Sequence, residues 1–331
     1  MSLQAPFYQT AKNDQKPFLS FLTETAPFAQ KHFFRVLQMA KHIRQHMALV
    51  KVLEPMKELP LISKRTSFIY MLHYVSRNMN IKTKLNVLTH HYQFLQEIFP
   101  KTSIEKLFDK GIECWSTQSE GDKLSVRLAH SGYLEFEGSL SLFFYVNDKP
   151  ISTMSFTFAP GHSLGMPDDK VIFVSLLQGK VGEWESISKA TKMMNDLIPS
   201  TILMSVVEGI ALALGIKNIV GICAKHQLSK ETVTDAHANN YDNYWISQGG
   251  IQTEEGNFQF SCPLPNKPIE QVKAKYRGRT LTKRAKRAEV ANETTANFLA
   301  ATYHPYTRRL ITPTLRPAYL QKESIPLRKV S

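Results

Sequence analysis

Val171-Ile-Phe-Val-Ser-Leu-Leu177-Gln178-Gly179 opens the stretch that decides the fold. Six apolar residues, broken by one serine, read as a strand buried on both faces, and it empties into a polar Gln-Gly pair. Two helical patterns follow, Glu183 to Leu197 and Ser200 to Leu214. The second is entered through Pro199 and stopped by Gly215. A second buried strand, Asn218 to Ala224, then runs into Lys225-His226 and on to Tyr241-Asp242-Asn-Tyr244-Trp245 with Gly249-Gly250. A strand that empties into polar residues places them at a sheet edge, where α/β folds receive ligands.

Working toward the N-terminus, Leu124-Ser-Val-Arg-Leu alternates and Leu140 to Val146 is strand-like. Asn147-Asp-Lys-Pro150 turns the chain into Ile151 to Phe158. Before Gly111 the texture is helical. Phe33, Val36, Leu37, Ala40, Ile43 and Met47 recur at helical spacing within Lys31 to Leu53. Lys64 to Asn78 and Lys82 to Phe99 repeat that pattern, and Thr102-Ser-Ile-Glu105 reads as a capping box before a short helix. Toward the C-terminus, Asn257 to Ser261 is a further strand. The class expected is α+β: a helical unit over 31–111, then a mixed sheet flanked by helices over 112–266. A short extension, 1–30, precedes them, and a basic one, 267–331, follows.

Among the 331 residues, 43% are hydrophobic, which excludes wholesale disorder. Cys114, Cys223 and Cys262 are too few and too scattered for a disulfide framework, and no CxxC pair suggests structural zinc. The longest apolar run, Ile202 to Ile216, is 15 residues long and carries Glu208, too short and too polar for a membrane span. Met1 to Gln30 lacks the basic and apolar regions of a signal peptide. A cytoplasmic protein is expected, at most peripheral at the inner membrane. Residues 267–331 hold 15 Lys+Arg against four Asp+Glu, a balance of +11 within the whole chain's +13. Such an extension suits RNA or an anionic membrane surface, or serves only to keep the chain soluble.

Several pieces, taken as an ordered set, resemble the VirK/YbjX family. They are Thr89-His90-His91-Tyr92, Leu177-Gln178-Gly179, Ala190-Thr191-Lys192 with Ile198-Pro199, Leu212 to Gly215, Lys225-His226, Tyr241 to Trp245 with Gly249-Gly250, and Lys275-Tyr276-Arg277. The resemblance spans Lys31 to Arg287. It implies a role in virulence and in resistance to antimicrobial peptides in Gram-negative bacteria. The order of elements is also similar to the GNAT acyltransferase superfamily and its toxin-activating relatives, which makes acyl transfer the expected reaction class by analogy of fold. Gln178-Gly-Lys-Val-Gly182 departs from the superfamily's coenzyme A loop. Glu183 and Glu185 would also repel a pyrophosphate at the start of the next helix. The acyl donor is therefore left open, with an acyl carrier protein among the candidates and an envelope component as the acceptor.

The expected catalytic residues are His226, a strand-end imidazole suited to general base work, and Asp242, which would orient it. Gln178, Gly179, Lys192, Tyr241, Tyr244 and Trp245 are the expected substrate-binding residues. No metal set is expected: His42 and His46 share a helix face without a carboxylate, and His90 and His91 are adjacent and diverge. The competing class is a non-catalytic binding protein that engages RNA or the inner membrane through 267–331.

Overall fold

A computed structural model describes residue 37 and residues 40–62, 65–228 and 235–302, with the side chains of 235–240 left aside. The helical part contains α1 (Ile43–Leu53), α2 (Ile81–Ile98) and α3 (Lys101–Phe108). α2 starts where expected because the Asn80 carbonyl oxygen Oδ1 accepts the Thr83 N–H at 2.9 Å, and Pro100 follows its end. Its buried stripe of Leu85, Leu88, Tyr92 and Leu95 is the one the spacing marks.

Two expectations fail in this part. Lys64 to Asn78 is not an α-helix: a 3-10 turn over Thr66–Met71 gives way to irregular chain, with Val75 at φ 50. The break lets the Val75 N–H reach the Phe136 carbonyl at 2.7 Å and drops Tyr74, fully buried, onto Ser139 Oγ at 2.7 Å. Those tertiary bonds replace the helical ones. Nor does Thr102 cap α3, which begins at Lys101 after Pro100 with no side-chain cap. Ser103 instead donates to the Ala301 carbonyl at 2.6 Å. The part of the first expected helix before residue 37 lies outside the described residues.

The rest of the described chain runs β1 (Ile112–Ser119), β2 (Asp122–His130), β3 (Leu140–Val146), β4 (Lys149–Ala159), β5 (Val171–Gly179), α4 (Trp184–Met193), α5 (Pro199–Ala213), β6 (Asn218–Gly221), α6 (Asp235–Ser247), β7 (Ile251–Gln252), β8 (Phe258–Ser261) and α7 (Arg277–Thr302). Eight strands form one sheet in the order β1-β2-β3-β4-β5-β6-β8-β7. Each pairing is antiparallel except β5 with β6, so the mixed α+β class holds. The parallel pair requires a crossover, and α4 and α5 supply it. α5 packs against β3, β4 and β5, while α7 packs against α5 and β1. One core cluster runs from Leu49 through the sheet to Phe298.

Part of the basic extension 267–331 is α7. Residues 277–302 form a packed helix with Val290, Ala291 and Phe298 buried. The sequence hides it, because few of its apolar residues meet the core and several of its basic residues are spent on contacts with residues far along the chain. Arg279 pairs with Asp196 at 2.6 Å, Lys283 donates to the Asp196 carbonyl at 2.7 Å, and the Lys286 ammonium lies 5.7 Å from the Trp115 ring centroid.

Candidate functional site

The last residues paired between β5 and β6 are Val174 and Gly221, and one further bond, Ile222 N–H to the Val174 carbonyl at 2.9 Å, closes the ladder. Beyond it β5 continues from Ser175 to Gly179 while the other chain turns off into a 3-10 turn over Ala224–His226. The sheet is thus split at the carboxyl ends of its parallel strands, the place where α/β folds receive ligands. On the β4 side the register slips between Ser155 and Phe156, leaving Ser175 as the extra residue of a bulge. Ser175 Oγ donates to the Glu137 carbonyl. Gly138, at φ +155, lies so close that a Cβ there would meet Phe156 N at 2.9 Å and Ser175 Oγ at 3.1 Å. The 131–139 loop is therefore pressed onto the bulge.

Three enclosed polar atoms without hydrogen-bond partners belong to this region: Glu137 Oε2, Tyr241 Oη and His226 Nδ1. Burial pushes the Glu137 carboxyl up to about 7, against the opposing pull of Arg77. Burial raises the Tyr241 phenol well above its ordinary range, and the charge of Glu137 adds to this. Gln227 approaches that phenol without reaching good hydrogen-bond geometry. Arg77 ties the two sides together. Its backbone N–H donates to the His226 carbonyl at 2.9 Å, and its guanidinium donates to the carbonyls of Gln227 at 2.8 Å and Leu228 at 2.5 Å.

The expected site residues fall into separate places. Asp242 Oδ1 accepts the Ala224 N–H at 2.8 Å, so it fixes the turn that carries His226 and makes no bond to the imidazole itself. Tyr241, Asp242, Tyr244 and Trp245 stand in the second half of α6. The Tyr244 hydroxyl donates to the Ser200 carbonyl at 3.0 Å. Trp245 is wholly buried, donates to the Ile222 carbonyl at 2.9 Å, and packs against Gly221 and Phe260. Gln178 and Gly179 border a groove of about 370 Å³ together with Tyr133, Phe143, Thr153 and Val181. Lys192 is exposed on α4 and belongs to neither group. His46 gives Nδ1 to the Tyr70 hydroxyl at 3.1 Å.

Glu137, Arg77 and Ser175 escaped the sequence reading. None of them sits in a motif, and the irregular segment that carries Arg77 was read as helix. The one available signal was a pair of carboxylates, Glu135 and Glu137, in a loop bounded by Gly132 and Gly138.

Glu135 turns the other way, into a buried polar layer. Its Oε1 accepts from the Tyr92 hydroxyl at 3.3 Å and lies 4.0 Å from His130 Nε2. Ser131, Ser141 and Ser155 continue the layer at 2.7 Å spacing. Burial lifts the Glu135 carboxyl from 4.5 to about 7 and lowers His130 from 6.5 to about 4, so between those two values the two face each other uncharged. A carboxyl with a raised folded value stabilises the fold fully below the unfolded value and loses that contribution as pH rises through the folded one. His130 has the opposite sign: its contribution is present above 6.5 and lost toward about 4. Comparison with Glu135→Gln isolates the first effect. Between pH 5 and 8 the wild type should lose about 2–3 kcal/mol relative to the variant. Parallel urea titration curves at the two pH values would refute this.

Residues 23–297 match the family described as protein of unknown function (DUF535), and the chain belongs to that family. It is similar to the uncharacterized protein YbjX of Escherichia coli (strain K12), with 21% identity over 216 residues, 62% of this chain and 63% of that one. The chain thus matches less than two thirds of that relative's length, in agreement with the VirK/YbjX resemblance of its motifs. No solved structure matches it.

Proposed function

We propose that the split between β5 and β6 is an acyl-transfer site. The observation that carries the reading is the Glu137 carboxyl, lifted to about 7 by burial with Oε2 unpartnered, in the neighbourhood of the enclosed Tyr241 hydroxyl. A base with a value near neutrality is suited to take a proton at physiological pH. In the proposed step Glu137 takes the proton of an acceptor hydroxyl or amine, whose heteroatom attacks the carbonyl of an acyl thioester. The carbon–sulfur bond then breaks, and the leaving sulfur takes the Tyr241 proton. Exchange with water afterwards returns both residues to their starting states. Burial keeps Tyr241 protonated until it is needed. His226, with Nδ1 unpartnered, is the second proton-handling residue, and Asp242 positions it through the Ala224 turn.

Support for this class comes from the parallel pair in an otherwise antiparallel sheet, whose order of elements underlies the GNAT analogy. The coenzyme A loop finds no support. α4 begins at Trp184 with Glu185 in its first turn, and Glu183 is engaged by Lys149 at 2.8 Å. An acyl carrier protein is therefore the favoured donor, and the exposed Lys273, Lys275 and Arg277 offer an acidic carrier a cationic face. An envelope component as acceptor would connect the reaction to peptide resistance.

The test offers acyl carrier protein and coenzyme A thioesters to the purified protein and follows thiol release. Glu137→Gln and Tyr241→Phe should each lower kcat about 100-fold or more with the fold intact. Absence of thiol release by folded wild type with either donor would remove the proposal.

A further inference from the structure

At the opposite, N-terminal end of β5 stands a second group of chemically active side chains. His90 and Phe94 are one turn apart on α2, with ring centroids 5.9 Å apart and planes 13° from parallel. The Lys170 ammonium lies 4.6 Å from the same Phe94 centroid. α2 also packs against the short turn Gly161–Leu164, which contributes His162 and Ser163. Two atoms of this group, His90 Nε2 and Ser163 Oγ, are enclosed and have no hydrogen-bond partner.

Among the described residues no carboxylate forms an ion pair with Lys170, His90 or His162. Asp168 Oδ2 accepts from Asn218 Nδ2 at 2.7 Å, and Asp169 is exposed. Burial first, then the charges of Lys170 and His162, hold His90 below its ordinary range, the mark of a basic cluster with no counter-charge. Enclosed polar atoms are ordinarily paired, and like charges gather where an anion can join them.

We propose that His90, Ser163 and Lys170, with His162 at the rim, bind a phosphate group. The donors suit it: a hydroxyl, an imidazole N–H and an ammonium come from three segments packed together at this end of β5, and a tetrahedral oxyanion has acceptor oxygens for all of them. A planar carboxylate would leave one donor unused. The phosphate is either a soluble phosphate or phosphoester, or the headgroup of an anionic lipid, both of which present the same atoms. The site is separate from the β5–β6 split and does not depend on the acyl-transfer reading.

The experiment uses the full chain in two arms: calorimetric titration with inorganic phosphate at constant ionic strength, and co-sedimentation with phosphatidylcholine vesicles containing phosphatidic acid. His90→Gln and Lys170→Met, the second keeping an apolar stem on Phe94, should each weaken binding about tenfold, the worth of one charge-assisted hydrogen bond. Ser163→Ala, which cannot disturb packing, should weaken it less, and the exposed Lys101→Met not at all. Weakening in the phosphate arm identifies a soluble ligand, and weakening confined to the vesicle arm identifies a lipid headgroup. No saturable binding in either arm overturns the proposal. So does binding that is equal in the wild type and in His90→Gln, Lys170→Met and Ser163→Ala, once unchanged melting temperatures show these to be folded.

Discussion

Ala211→Asp is expected to abolish cooperative folding. α5 is enclosed on almost every side: Ile202, Leu203, Met204, Val206, Val207, Ile210 and Ala211 are all 0% exposed. A carboxylate placed there without a partner costs about several kcal/mol, against a total domain stability of about 5–15 kcal/mol. The same helix shows what tolerance requires. Glu208 is buried one turn earlier, but its Oε1 accepts the Leu264 N–H at 2.7 Å and Arg287 contributes a favourable charge; even so, burial raises its pKa. Ala211→Gly serves as the control, because it changes helix propensity by about 1 kcal/mol and adds no charge. A denaturant transition of Ala211→Asp near that of Ala211→Gly would show that this helix face is open to water.

Gly209→Leu is expected to pry α7 from α5. A Cβ at Gly209 would stand 2.5 Å from the Ala291 carbonyl oxygen and 2.7 Å from Thr294 Cβ, so even alanine meets backbone there. Thr295 Oγ1 donates to the Gly209 carbonyl at 3.0 Å, which holds the two helices at that distance. Overpacking at a well-filled contact costs about 1–3 kcal/mol, and more where backbone must move. About 3 kcal/mol is therefore expected, concentrated on α7. Limited trypsin digestion reads it directly, since Lys283, Arg284, Lys286 and Arg287 become cleavable once the helix lifts. Unchanged protection of those bonds together with an unchanged melting temperature would mean that the contact is not tight.

The two substitutions test elements that differed in how far they could be read. α5 was legible because its signals are local: Pro199 opens it, Gly215 at φ +63 stops it, and apolar residues fill the span between. β5 and β6 were legible for the same reason, as short runs of β-branched and apolar residues. α7 was not, because its stability comes from a few contacts with distant residues, Gly209 among them, and its surface is coloured by charge.

The candidate site divides along the same line. His226 and Asp242 were visible as polar residues beyond a buried strand, but that strand ends at Gly221 rather than Ala224, and His226 closes the 3-10 turn that follows it. It could not show that Asp242 would bond the Ala224 backbone and leave the imidazole alone. Glu137 carries only a faint local mark, its pairing with Glu135 in a loop bounded by Gly132 and Gly138. Its elevated carboxyl arises from a loop held onto the β5 bulge by Ser175 and Gly138, residues distant from or silent about the chemistry.

By itself the sequence determined the mixed class, the buried α5 and the family, all of which follow from apolar periodicity and short ordered motifs. Only the tertiary structure decided which polar groups are desolvated together. Burial and unmade hydrogen bonds are properties of surfaces brought into contact from far along the chain, and no local pattern of residues encodes them.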